Sequence, residues 1–144
     1  MTTSPSFVGF TSGAAARHEV ANLLHTYVGI ADARDVGAGV ALLGDARVVF
    51  PAGGFDRRED ASAFLAGLWG SVVGHRHDVH NLVVEPAVGP DGQPEPGRWR
   101  AHATYTRWMI DGAPRLHTLG EYDLVVAEDP WRIEELVVTR TWTE

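Results

Sequence analysis

The order of its patterns constrains this chain most: helix-like periodicity fills the first half and strand-like runs fill the second. Between Ala14 and Ala31, apolar side chains recur at Val20, Leu23, Leu24, Tyr27 and Ala31. That is the one-sided spacing of an amphipathic helix. A shorter helix is predicted over Val36–Leu43, with Asp35 as N-cap and Gly44 as stop. A third fits Glu59 to Trp69, with Ala61, Phe64, Leu65 and Leu68 on one side. A short strand, Arg47–Phe50, lies between them and ends at Pro51-Ala52-Gly53-Gly54.

After Trp69 the pattern changes. Strands are predicted at about 77–85, 98–110, 115–127 and 132–142. The link Pro86 to Gly97 holds four prolines and reads as a loop. Asp111-Gly112-Ala113-Pro114 and Glu128-Asp129-Pro130 stand where hairpin turns belong. Helices followed by hairpin-linked strands predict an α+β fold, with the helices on one face of a curved antiparallel sheet. Such a sheet encloses a cone whose mouth is a natural small-molecule pocket. Residues 1–13, rich in Ser, Thr, Gly and Pro, read as a flexible arm in which Phe7, Val8 and Phe10 could dock; 14–144 read as one domain.

Composition removes several function classes. All twelve basic residues are arginine, so lysine Schiff-base chemistry and a P-loop lysine are excluded. A net charge of -7 offers no footprint for nucleic acid. The absence of cysteine rules out disulfides and thiolate metal sites, and makes a cytoplasmic location the expectation. No apolar run approaches the ~20 residues of a membrane span, and the N-terminus has no signal-peptide pattern. Neither a Gly-x-Ser-x-Gly elbow nor a Gly-x-Gly-x-x-Gly loop occurs.

The chemistry concentrates in His75-Arg76-His77-Asp78-Val79-His80-Asn81, which runs into Leu82-Val83-Val84. Strand alternation puts His75, His77, Val79, Asn81 and Val83 on one face, and His80 on the other. Imidazole and carboxamide among apolar neighbours suit a cavity wall better than a core. His75 is expected at the strand's frayed entrance. A metal on the histidines would need a third ligand, for which Asp32 or His117 could serve. No complete ligand motif is present, and no metal is expected.

Four pieces carry a resemblance: Tyr27-Val-Gly-Ile-Ala-Asp32-Ala-Arg-Asp35, Arg76-His77-Asp78-Val79-His80-Asn81, Gly120-Glu-Tyr122-Asp and Trp131-Arg-Ile133. In order and spacing, over about residues 14 to 143, the chain resembles the SnoaL-like, scytalone-dehydratase-like branch of the NTF2-like superfamily. The resemblance implies a cone-shaped α+β barrel, a pocket between helices and sheet, and a dimer or small oligomer. Relatives include polyketide cyclases, scytalone-dehydratase-like enzymes, ketosteroid-isomerase-like proteins, small subunits of ring-hydroxylating dioxygenases, and members that are not enzymes. Most work without metal, and no cofactor is expected.

The same resemblance sets Asp32 at the family's acid/base aspartate and His77 at its pocket histidine. Asp32 would then be the general base and His77 its partner or the general acid. Asn81, Tyr105 and His117 would steady an oxyanion, while Tyr27, Trp69 and Phe64 would wall the pocket or pack the core. Asp35 reads as a cap. Around Tyr105, the set Trp99, Ala101, Ala103, Arg107 and Met109 is expected to face inward, which obliges Arg107 to find a partner or the mouth. The expected activity is cyclisation, dehydration or isomerisation of a small, apolar, oxygenated substrate, polyketide-like or steroid-like. The alternatives are a non-catalytic binding or assembly module and a dioxygenase small subunit.

Overall fold

The computed structural model describes residues 10–144, with side chains described from residue 13. Three helices, α1 (Phe10–Ala33), α2 (Val36–Leu43) and α3 (Arg58–Trp69), pack on a six-stranded sheet. Its strands are β1 (Arg47–Phe50), β2 (Gly53–Phe55), β3 (His75–Val88), β4 (Pro94–Met109), β5 (Arg115–Ala127) and β6 (Arg132–Thr143). Their order is β2-β1-β6-β5-β4-β3. The α+β cone is as expected. The sheet, however, is mixed and unclosed: β1 runs parallel to β6, while every other pair is antiparallel.

Helix α1 buries Val20, Leu24, Tyr27 and Ala31 of the stripe that its spacing predicts, with Leu23 partly buried beside them and Val28 added to the core. Full burial of one such aliphatic side chain contributes about 1.5–3 kcal/mol. Residues 10–13 are helical rather than part of an arm; the rest of that expected arm, with Phe7 and Val8, lies outside the described residues. Asp35 caps α2 by accepting from the Ala38 N–H at 3.1 Å. The α2 glycines look unfavourable in sequence, yet Gly39 is buried because α2 crosses α3 closely there. A Cβ on it would come within 2.8 Å of Leu65 and 3.3 Å of Trp69.

Three elements differ from expectation. Residues 51–54 do not simply end β1; they turn it into β2, with Phe50 paired to Gly53. The proline-rich link is shorter than predicted, because β3 continues past Pro86 and β4 begins at Pro94. Pro86 sits beside an irregularity at the strand end, where a missing N–H is tolerated. Finally, one extra residue interrupts β3 between His80, paired to Thr104, and Val83, paired to His102. Asn81 takes φ 58° there, a conformation that asparagine tolerates better than most residues. The bulge switches the parity of the strand. Val79 faces the core before it, and Leu82 and Val84 face the core after it.

No described helix is long and apolar enough to cross a membrane. Replacing Gly39 by Leu should destabilise the fold by about 1–3 kcal/mol through overpacking, read as a lower urea midpoint with an unchanged slope.

Candidate active site

The end of α1 and the start of β3 are fastened together, and that fastening builds the site. Asp32 Oδ1 accepts from the His77 backbone N–H at 2.9 Å and from the His77 ring at Nδ1, 2.7 Å away. His75, two residues earlier, donates from Nε2 to the Ala31 carbonyl. Arg34, at φ 55° just past the helix, donates to the carbonyls of Val72 and Val73. A helix end thus meets a strand start through polar groups on both sides, and the two histidine rings lie edge to face, 4.8 Å apart.

His77 lines a cavity of about 160 Å³ between the helices and the sheet. Tyr27 and Trp69 line it from the helices, Tyr105 and Arg107 from β4, Thr118 and Tyr122 from β5, and Val138 and Arg140 from β6. Phe50, Pro51 and Ala52 add the β1–β2 turn. The rings of Tyr105 and Tyr122 stack at 4.4 Å, and Tyr27 meets Tyr122 edge-on at 5.8 Å. Gly120 makes room for this stack: it pairs with Tyr105 across β4 and β5. A Cβ on Gly120 would lie 2.5 Å from the Tyr105 ring and 2.3 Å from the Thr139 carbonyl oxygen.

Of the expected site residues, Tyr27, Trp69, His77 and Tyr105 meet in the cavity. Asp32 stands behind His77, its side chain 28% exposed, and is not itself part of the wall. Phe64 packs against Phe50 and Phe55 instead of lining the cavity. Asn81 was expected beside His77, but the bulge turns it out to solvent, where its amide donates to Thr104 Oγ1 at 3.4 Å. His80 is on the outer surface as expected, also against Thr104. His117 is not in the wall. It is the extra residue of a second bulge, opposite Arg107 and Trp108, and its Nδ1 lies 2.7 Å from Thr118 Oγ1 and 3.4 Å from Arg107 Nη1.

His75 departs furthest from its expected place. Instead of fraying, it is buried and lines the cavity. Both ring nitrogens are taken, since Nδ1 accepts from Arg107 Nε at 3.0 Å. Burial, together with the neighbouring His77 and Arg107, pulls its pKa down to about 4 against the hydrogen bond to Ala31. His75 is a neutral linker between a helix carbonyl and a guanidinium. Burial also lowers the pKa of Arg107, though a guanidinium keeps its proton at any working pH. Sequence reasoning flagged Arg107 as needing a partner, but missed that the partner is a histidine. It also left Tyr122, Thr118 and Arg140 out of the site.

Asp32, His75 and His77 offer ligand atoms within 4.8 Å of one another. To bind a metal they would surrender the Asp32–His77 hydrogen bonds and both hydrogen bonds of His75, beside the cationic Arg107. The arrangement is better matched to proton handling. Burial first, then Tyr105 and Asp32, pushes the phenol of Tyr27 up. Burial likewise raises Tyr105 and Tyr122. All three remain protonated donors.

The sequence matches the family described as SnoaL-like domain over residues 13–137, and the chain belongs to that family. Curated protein sequences provide no match. Among solved structures, a candidate scytalone dehydratase from Novosphingobium aromaticivorans aligns with TM-score 0.74 and 14% identity, over 94% of this chain and 91% of its own. A hexachlorocyclohexane dehydrochlorinase, LinA type 2, aligns with TM-score 0.74 and 15% identity, over 94% and 92%. A candidate aromatic-ring-hydroxylating dioxygenase β subunit from N. aromaticivorans gives 0.71 and 13%, over 92% and 94%. At these identities the likeness is one of fold.

Two measurements follow from the site's packing and charge. Gly120→Ala should cost about 1–3 kcal/mol and move the Tyr105 ring resonances, because neither the ring nor the Thr139 backbone can yield. The depressed pKa of His75 means that the folded state resists a proton that the unfolded chain accepts. Its stabilising contribution is complete above about pH 6.5 and is lost as pH falls toward 4. His75→Gln should flatten that limb of the stability–pH curve, as measured by denaturant titration across the range.

Proposed function

We propose that the chain is an acid–base enzyme that moves a proton next to an oxygen-bearing carbon of a small ring compound. His77 would be the base and Asp32 the carboxylate that orients it. The observation carrying this reading is the double acceptance at Asp32 Oδ1, from His77 N–H at 2.9 Å and Nδ1 at 2.7 Å. An ionised carboxylate only accepts, so Nδ1 holds the proton and Nε2 keeps its lone pair. The nitrogen left for a substrate is therefore on His77. This reverses the roles expected from sequence, in which Asp32 itself took the proton.

In the forward step, Nε2 of His77 takes a proton from the carbon beside a carbonyl. Asp32 stabilises the imidazolium that forms. Negative charge builds on the carbonyl oxygen, where a phenol of Tyr27, Tyr105 or Tyr122 can donate to it. The proton then returns from His77 to another substrate carbon, which is isomerisation, or to a departing hydroxyl, which is dehydration. A positioned base of this kind contributes about 10²–10⁴-fold in rate.

The cavity volume of about 160 Å³ favours one ring over the steroid-like polycycle first expected. Apolar cavities of about 150 Å³ admit a benzene. A homo-oligomer fits the exposed pair Leu119 and Trp142, register partners on β5 and β6. A cytoplasmic setting remains part of this proposal.

The test is solvent deuterium incorporation, followed by NMR, in cyclic ketones and cyclic hydroxyketones. Wild-type protein should exchange or dehydrate at least one of them. His77→Ala should bring the rate to background, and Asp32→Asn should lower it about 10²-fold with the circular dichroism spectrum unchanged. Full activity in both variants would sink the mechanism.

A further inference from the structure

We infer that Arg107, the register partner of His77, and Arg140 form a subsite for a carboxylate carried on the ring substrate. The inference rests on the reading of this cavity as a substrate site. It does not depend on His77 acting as a base.

Both guanidiniums line the one cavity, Arg107 from β4 and Arg140 from the inward face of β6 that also presents Val138. Among the described residues, no carboxylate lies within ion-pair distance of either. Ion pairs elsewhere hold Arg47, Arg57, Arg58, Arg76, Arg98 and Arg115, most of them on the exposed surface. Arg107 is half-buried, and a charge withdrawn from water is costly unless a counter-charge meets it. Its contacts inside the protein do not supply one. Nε is spent on neutral His75, and Nη1 faces Nδ1 of His117 at 3.4 Å. Burial and Arg107 pull the pKa of His117 down, so that ring is a neutral neighbour too.

The chain thus positions a cation with two neutral histidines and leaves its charge uncompensated. The Arg107–His75–Ala31 line fixes the guanidinium plane relative to α1, and the His117 bulge braces it from β5. A planar oxyanion is the matching guest, since a guanidinium presents paired N–H groups to a carboxylate. Arg140, exposed at the mouth, adds a second cation on the path into the cavity. The phenols of Tyr27, Tyr105 and Tyr122 stay protonated, so none of them neutralises the pair. A single ring fills the volume, its carboxylate on the arginines and its reacting carbon toward His77.

The experiment is equilibrium binding by calorimetry, with benzoate as the probe, benzamide as its neutral counterpart and benzylamine as its cationic one. Wild-type protein should bind benzoate at least about tenfold more tightly than benzamide, and benzylamine not at all. Arg140→Gln and Arg107→Gln should each weaken benzoate about tenfold or more, while Arg107→Lys retains part of the affinity. Arg100→Gln, which removes an exposed cation on the outer face of β4, should leave it unchanged. Because Arg107 is braced by two histidines, Arg140→Gln and the benzoate–benzamide comparison on wild-type protein decide the matter if Arg107→Gln does not fold. Equal binding of benzoate and benzamide, or undiminished affinity in Arg140→Gln and in any folded Arg107→Gln, overturns the subsite. Charge-selective binding without any proton exchange upholds the subsite and removes the catalytic reading.

Discussion

Everything chemical in this molecule depends on one junction, the fastening of the α1 C-terminus to the first residues of β3. A helix that ends against a sheet leaves carbonyls unpaired, and a strand that begins there leaves an N–H to satisfy. Here the two deficits cancel. Ala31 offers its carbonyl to His75, Asp32 takes the backbone N–H of His77, and Arg34 reaches the carbonyls of Val72 and Val73. The same hydrogen bonds that complete the backbone also aim the side chains. Asp32 cannot be displaced from His77 without exposing a strand N–H, so the orientation of the imidazole is tied to the integrity of the fold.

From that junction the cavity takes its polarity. His77 and its carboxylate lie on the α1–β3 side, while Arg107 and Arg140 enter from β4 and β6. Around them the tyrosine stack supplies flat apolar walls with protonated hydroxyls. Gly120 is what allows the stack, since the register places it opposite Tyr105. His77 and Arg107 are register partners on β3 and β4, so imidazole and guanidinium enter the cavity side by side, and Arg140 joins them from β6.

Much of the fold was legible because periodicity is a local property. The α1 stripe, the α2 cap and stop, and the four late strands follow from spacing and turn residues alone. Strand alternation correctly sent His77 and Tyr105 inward, but it failed at Asn81. A single inserted residue reverses parity, and a sequence read at period two carries no mark of the reversal beyond the shift from His-x-His-x-Val to Leu-x-Val. His117 was undecidable for the same reason, being itself an inserted residue opposite Arg107. His75 was misplaced for a different one. Its partners, Ala31 and Arg107, lie 44 and 32 residues away, so nothing near it in sequence announces that both nitrogens are used. The unneutralised charge at Arg107 and Arg140 is also a property of the packed sheet, visible only once every carboxylate has a position.

The two histidines separated by one residue make the general point. They share a strand face, a cavity and an edge-to-face contact, yet their tasks differ because their partners differ. His75 has no nitrogen left, and its neutrality follows from burial beside Arg107. His77 spends one nitrogen on a carboxylate and retains the other. An arginine next to His75 and an aspartate next to His77 thus divide one His-x-His motif into a structural linker and a chemical group. A metal would treat the two rings as equivalent ligands; the hydrogen bonds of this chain make them unequal.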